Sequence, residues 1–414
     1  MKKSLFILTA FWTLSVVTGR AEVKLPAIFS DHMVLQSDTA ASVWGWAEPG
    51  ETVSVSFAGQ TKAATTDAGG KWALKLDKIK AGAEPQTLTV KGRNELAVHD
   101  VLIGEVWLCS GQSNMEMQVK GGLHGQVDNA DEEIAAAKYP EIRMFVFRQT
   151  YAIYELPAPP DSPLSDRPGE WLVCSPETVA RFSATAYFFG RDLHRALGAP
   201  VGLIHSSVGG TPIEAWTSLE AQRSGPALRP VLDEWQQKLA SYDAEREQQN
   251  FLSAKAVWLK QRVAAQAKGE PAPKAPLPFK NLRVMGPGGL FNGMIAPLVP
   301  YTIRGVIWYQ GERNADGPHG IYYGAQLKML IADWRARWGD QFYFAWVQLP
   351  RFKAEQHTPD EPNGWGVSIR DEMRKTLSVP RTGMAITIDL GGGDGGASDE
   401  QGGLRPASVV ARPA

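Results

Sequence analysis

Between Glu22 and about Asp100, apolar and polar residues alternate in short runs: Ala41 to Trp46, Thr52 to Phe57, Lys71 to Leu76 and Gln86 to Lys91. A period of two is that of a half-buried strand. The turn signals Glu48-Pro-Gly-Glu51 and Asp67-Ala-Gly-Gly70 fall between the runs at the spacing of an antiparallel sandwich. From Val101 the pattern changes. Val101 to Cys109 is almost continuously apolar, as in a strand covered on both faces, and Gly111 ends it abruptly. Strand and helix patterns then alternate: a helix over Ser183 to Leu197 closed by Gly198, a strand from Val201 to Ser206, and a strand from Arg304 to Gln310. A helix over Tyr322 to Trp338 follows, then a strand over Gln341 to Leu349 and a last strand over Ala385 to Leu390. That alternation predicts a parallel sheet flanked by helices.

Two segments depart from it. Leu219 to about Lys274 is charged and Gln-rich, contains the helical stretch Leu232 to Leu239, and runs into Gly269-Glu-Pro-Ala-Pro-Lys-Ala-Pro276, so a helical insertion over about 219–280 ending in a Pro-rich linker is expected. At the other extreme, Lys2 and Lys3 precede an apolar run from Leu5 to Val17 and the small-residue site Thr-Gly-Arg-Ala21. That run is too short for a comfortable membrane span and reads as a secretory signal cleaved after Ala21, which implies a secreted or periplasmic protein. The expected organisation is a signal peptide (1–21), a small β-sandwich domain (22–100), a catalytic-type α/β domain (101–392) and a Gly-rich tail (393–414). The tail has no apolar periodicity and is expected to be disordered.

Totals narrow the class. A chain of 414 residues exceeds one ordinary core, and a net charge of −1 gives no reason to expect nucleic acid or an anionic membrane as partner. Fourteen Trp are a more useful observation, because exposed indoles stack on sugar rings, although most of them are core by default. The two cysteines, Cys109 and Cys174, meet an oxidising compartment if the chain is exported, and pairing and free burial both stay open.

The chemistry centres on Gly104-Glu-Val-Trp-Leu-Cys-Ser-Gly-Gln-Ser-Asn-Met115. A serine leaving a strand at a tight turn can meet a substrate carbonyl, whereas a serine before a helical segment can equally be an N-cap. The stretch Gly111-Gln-Ser-Asn-Met115 resembles the nucleophile block of the SGNH-type carbohydrate esterases, specifically the sialate O-acetylesterase family. Ser206-Ser-Val-Gly-Gly-Thr-Pro-Ile-Glu-Ala-Trp216 and Val306-Ile-Trp-Tyr-Gln-Gly-Glu-Arg-Asn314 resemble its second and third blocks, in order. The resemblance covers about residues 22 to 392. It implies an SGNH-hydrolase-like α/β sheet with Ser113 as nucleophile and oxyanion donors from the Gly209 N–H and the amides of Gln310 or Asn314. Glu312 becomes an orienting carboxylate, and the substrate an O-acetylated carbohydrate. No cofactor and no metal are implied, since no His-x-x-His or Asp/His cluster stands at ligand spacing. Arg313 stands where relatives often carry Ser.

The base departs from the resemblance. Relatives follow the last strand with an Asp-x-x-His-Pro segment, whereas this chain continues from Leu390 into Gly391-Gly-Gly-Asp-Gly-Gly-Ala-Ser398 and has no histidine after His357. A shifted reading frame explains this. If Ala397 to Gly403 is encoded GCA TCC GAC GAA CAA GGA GGT, moving by one base gives CAT CCG ACG AAC AAG GAG, which spells His-Pro-Thr-Asn-Lys-Glu and places the lesion between Asp389 and Ala397. Among the remaining histidines, His124 and His319 fall in loops near the blocks, His205 reads as a core residue and His32 as structural. The expectation is an esterase impaired by loss of its base. Acetyl xylan esterase or another polysaccharide deacetylase is the alternative enzyme, and a non-catalytic carbohydrate-binding protein the alternative from another class.

Overall fold

The computed structural model describes residues 22–122, 125, 127–148, 163–276, 279, 281–315, 318–350 and 367–387. The sequence readings of a signal peptide, of the last residues of the final strand and of a disordered tail fall outside them, as does His124. No helix among the described residues is long and apolar enough to cross a membrane.

The amino-terminal part is built from β1 (Val34–Gln36), β2 (Ala41–Trp46), β3 (Thr52–Phe57), β4 (Gln60–Thr65), β5 (Lys71–Leu76) and β6 (Gly82–Lys91). β2 pairs antiparallel with β5, and β3 with β4 and β6. Alternation in β2 is complete, with Ala41, Val43 and Gly45 buried and the intervening residues half-buried. The turns close as their residues require: Asp67 Oδ1 accepts the N–H groups of Gly69 and Lys71, and Gly70 adopts φ +75°.

β7 (Glu95–Gly111) runs from this part into the parallel sheet. Its first half pairs antiparallel with β6 and its second half lies between β10 and β11, so the two sheets share one long strand. The parallel sheet adds β8 (Tyr139–Phe147), β9 (Gly169–Cys174), β10 (Val201–Ser207), β11 (Gly305–Tyr309), β12 (Tyr343–Val347) and β13 (Thr382–Ala385), in the order β13-β12-β11-β7-β10-β8-β9. Only the edge strand β9 is antiparallel. After β7 the chain builds one side of the sheet and then crosses to build the other, which makes the carboxyl end of β7 the topological switch point where α/β sheets place ligands.

The helices that matter for the site are α1 (Ser113–Glu116), α2 (Ala184–Leu197), α3 (Arg229–Ala240), α4 (Ala244–Lys268), α5 (Glu312–Ala315), α6 (Tyr323–Trp338) and α7 (Val367–Thr376). α2 is capped by the Ser183 side chain and ends at Gly198 in the left-handed conformation. α6 buries Trp334 and Leu330 against the sheet, while α4, in the charged insertion, buries none of its residues.

One strand differs in position from its sequence expectation. β13 spans Thr382–Ala385 and so begins three residues before its sequence expectation; Ile386 is exposed, and residues 388–390 of the expected strand lie outside the described residues. Its partner β12 is five residues long and ends at Val347 opposite Ala385, and Gln348 N–H donates to Ala385 O just beyond it. Cys109 and Cys174 are both buried free thiols. Burial pushes both thiols up, that of Cys174 to about 12.

Candidate functional site

The three sequence blocks meet at one residue. Gly111, the last residue of β7, is the register partner of Ser207 at the end of β10 and of Tyr309 at the end of β11. Its φ is +143°, and a Cβ placed there would lie 2.1 Å from the Tyr309 carbonyl oxygen, so both conformation and space require glycine. The turn is sewn to both neighbours: Gln112 N–H donates to Tyr309 O and Val208 N–H donates to Gly111 O.

Ser113 follows as the first residue of α1. The N-cap is Gln112, whose side chain makes no capping bond, and Gln112 O accepts the N–H groups of Met115 and Glu116. Ser113 is therefore not a cap. Its half-buried hydroxyl has one contact, a long 3.5 Å approach from Gln112 Nε2, and its backbone N–H makes no hydrogen bond among the described residues.

The third block lies beside this turn as a buried polar network. Gln310 is fully buried, and its amide nitrogen donates to Gln112 Oε1 (3.2 Å), Thr211 O (3.0 Å) and Asn314 Oδ1 (2.8 Å). An amide has two hydrogens, and both are engaged inside the protein. Gln310 Oε1 accepts from the Tyr323 hydroxyl at 2.8 Å. Asn314 Nδ2 donates to Glu214 Oε2, and Glu214 Oε1 accepts from Gln326 of α6. Glu312 Oε1 accepts from Asn114 Nδ2 at 2.6 Å.

In the second block the Gly209 N–H donates to Glu116 Oε2 at 2.5 Å, joining the loop after β10 to α1. Glu116 is buried, as are its sequence neighbours Met115 and Met117. His205 lies close enough to feel its charge. Burial lowers the His205 imidazole to about 4, against opposing contributions from Glu116 and from the Met115 backbone, so the ring is neutral at pH 7. His205 Nε2 pairs with Ser207 Oγ at 2.6 Å.

None of the five described histidines is hydrogen-bonded to Ser113. His32 pairs with Asp100, His99 with Thr87, His194 with the Ala199 carbonyl, His205 with Ser207, and His319 with Glu234 of the insertion helix α3. The structure thus brings Ser113, Gly209, Gln310, Glu312 and Asn314 to one end of the sheet. Gln112, Asn114, Glu116 and Glu214, which sequence reasoning passed over, join them there. The signal for these four was modest: Gln112 and Asn114 flank Ser113, and Glu116 and Glu214 are single carboxylates between apolar neighbours.

Comparison with known proteins places these blocks in company. The family model for carbohydrate esterase, sialic acid-specific acetylesterase, matches residues 103–269. The chain is 32% identical over 406 residues to the sialate O-acetylesterase of Rattus norvegicus, covering 89% of this chain and 68% of that protein. It is 31% identical over 409 residues to the Mus musculus sialate O-acetylesterase, with the same two coverages. The crystal structure of a carbohydrate acetylesterase from Xanthomonas citri superposes with a TM-score of 0.68 at 30% identity, over 92% of this chain and 71% of that one.

Proposed function

Because the chain belongs to the sialate O-acetylesterase family of carbohydrate esterases, we propose that Ser113 is its nucleophile and an O-acetylated sialic acid its substrate. The class of the scaffold is a carboxylic ester hydrolase that removes O-acetyl groups from carbohydrate. The observation that carries the assignment of Ser113 is its release from capping: a half-buried hydroxyl stands at the switch point of the sheet, on a turn only glycine can make.

In this reading Ser113 Oγ attacks the acetyl carbonyl, the sugar oxygen leaves, and water hydrolyses the acetyl-enzyme. The Ser113 N–H is a donor for the oxyanion. Gly209 N–H joins it when Glu116 releases that amide. Gln310 and Asn314 hold the Ser113 turn against β11 and the loop after β10, and Glu312 fixes Asn114 beside the nucleophile. The proton of Ser113 needs a base, and the chain carries no histidine after His357. We assign that role in the parent sequence to the histidine encoded in the alternative frame after Asp389, and infer that this chain is a disabled esterase. Loss of a triad member costs roughly 10⁴- to 10⁶-fold in turnover and leaves residual catalysis from the oxyanion donors. The basic and apolar residues 2–17 and the site at Ala21 support export to the periplasm or beyond.

The test compares three proteins on 4-nitrophenyl acetate and on mono-O-acetylated sialic acid: this chain, a version with the frame restored after Asp389, and that version with Ser113→Ala. Activity only in the second supports the whole reading. Equal activity in the first two removes the tail histidine from the mechanism, and activity surviving Ser113→Ala removes Ser113.

A further inference from the structure

A cavity of about 440 Å³ opens between the β2–β5 ribbon and the segment that precedes β11. Its ribbon wall follows from the register. Trp44 stands opposite Ala73 and Trp46 opposite Lys71, and direct partners across an antiparallel pair share a face. The small Ala73 leaves the Trp44 indole uncovered on that side, and both indoles are half-buried. Edge contacts from Phe29 and Tyr301 hold the Trp44 ring in place.

The facing wall includes Phe291 and Arg337. The Arg337 guanidinium lies 4.9 Å over the Phe291 ring, anchored through Nε to Asp333 and through Nη2 to Ser218 and Glu220. Its Nη1 makes no hydrogen bond among the described residues, and Lys71 makes no ion pair there. Among the described residues no carboxylate lines the cavity. The cavity therefore offers indole faces for the C–H face of a ring, the Nη1 donors of Arg337, whose charge is already paired with Asp333 and Glu220, and one cation, Lys71, with no ion pair among the described residues.

We propose that this cavity is a second carbohydrate subsite, which takes a pyranose bearing a carboxylate. It is separate from the nucleophile. Arg337 lies at the carboxyl end of α6, whose first residue Tyr323 bonds Gln310 in the Ser113 network, and the helix between them rises about 21 Å. The subsite would hold an acidic sugar chain to the protein and leave the acyl chemistry to the opposite end of the sheet. It stands whether or not Ser113 is the nucleophile.

The experiment is a calorimetric titration of the full chain with methyl N-acetylneuraminide, methyl glucuronide and the neutral methyl glucoside. At least one acidic sugar should bind about fivefold tighter than the glucoside, the ratio of one solvent-screened ion pair. Lys71→Glu, at an exposed position, should abolish that preference, Lys71→Arg should keep it, and Trp46→Ala should weaken the acidic sugar about tenfold. Binding of only one of the two acids identifies the carboxylate source as sialic or uronic. No binding of either acid overturns the proposal, as does equal binding of the glucoside or binding unchanged by both Lys71→Glu and Trp46→Ala.

Discussion

Asn114 Nδ2 donates to Glu312 Oε1 at 2.6 Å, tying the residue after Ser113 to the first residue of α5, 198 positions along the chain. The contact makes the placement of the nucleophile turn depend on the third block. Asn114→Asp puts two carboxylates at that distance, where both cannot stay ionised. The variant should lose about 2 kcal/mol or more at pH 7 in urea unfolding, and the deficit should shrink as pH falls through the carboxylate range and the pair takes up a proton. A deficit that does not vary with pH would show that the two groups move apart.

Ser113→Ala separates nucleophile from cap by stability alone. A capping serine replaced by alanine costs about 1 kcal/mol. Gln112 is the N-cap here and Ser113 Oγ makes a single long contact, so the variant should stay within about 0.5 kcal/mol of the parent. A loss near that of a true cap, seen in the denaturation midpoint, would reverse the assignment.

His205 supplies a pH dependence with a defined sign. Its imidazole is lowered from 6.5 to about 4, so between those values the unfolded chain binds a proton that the folded chain refuses. Stability is full above the upper value and declines as pH falls toward the lower one, by up to about 3 kcal/mol from this group. His205→Gln keeps hydrogen-bonding capacity for Ser207 without titrating. Unfolding free energies at pH 7 and pH 5 should converge in the variant relative to the parent, and equal slopes would refute the burial effect.

The thiols give a simple count. With Cys109 and Cys174 buried, unpaired and raised in pKa, a thiol reagent should label neither in the native protein and both in denaturant. A mass shift of two hydrogens on reduction would instead reveal a disulfide.

Much of the local frame is legible in the chain itself. Alternation fixed β2, β3 and β5 to the residue, because a half-buried strand writes its period of two directly into the chain. The apolar run to Cys109, broken at Gly111, located the nucleophile turn. Tertiary structure decided what the polar residues of the blocks do. Gln310 and Asn314 read as donors waiting for an oxyanion, yet the hydrogens of Gln310 are engaged by Gln112, Thr211 and Asn314, and Asn314 donates to Glu214. Gly209 read as an open amide and lies on Glu116. β13 begins at Thr382, the register partner of Phe344, ahead of the apolar run that announced it. The reason is common to all of these. Periodicity and glycine sterics act between neighbours in sequence, whereas a buried donor takes whichever acceptor the fold brings to it, often from a hundred or more residues away.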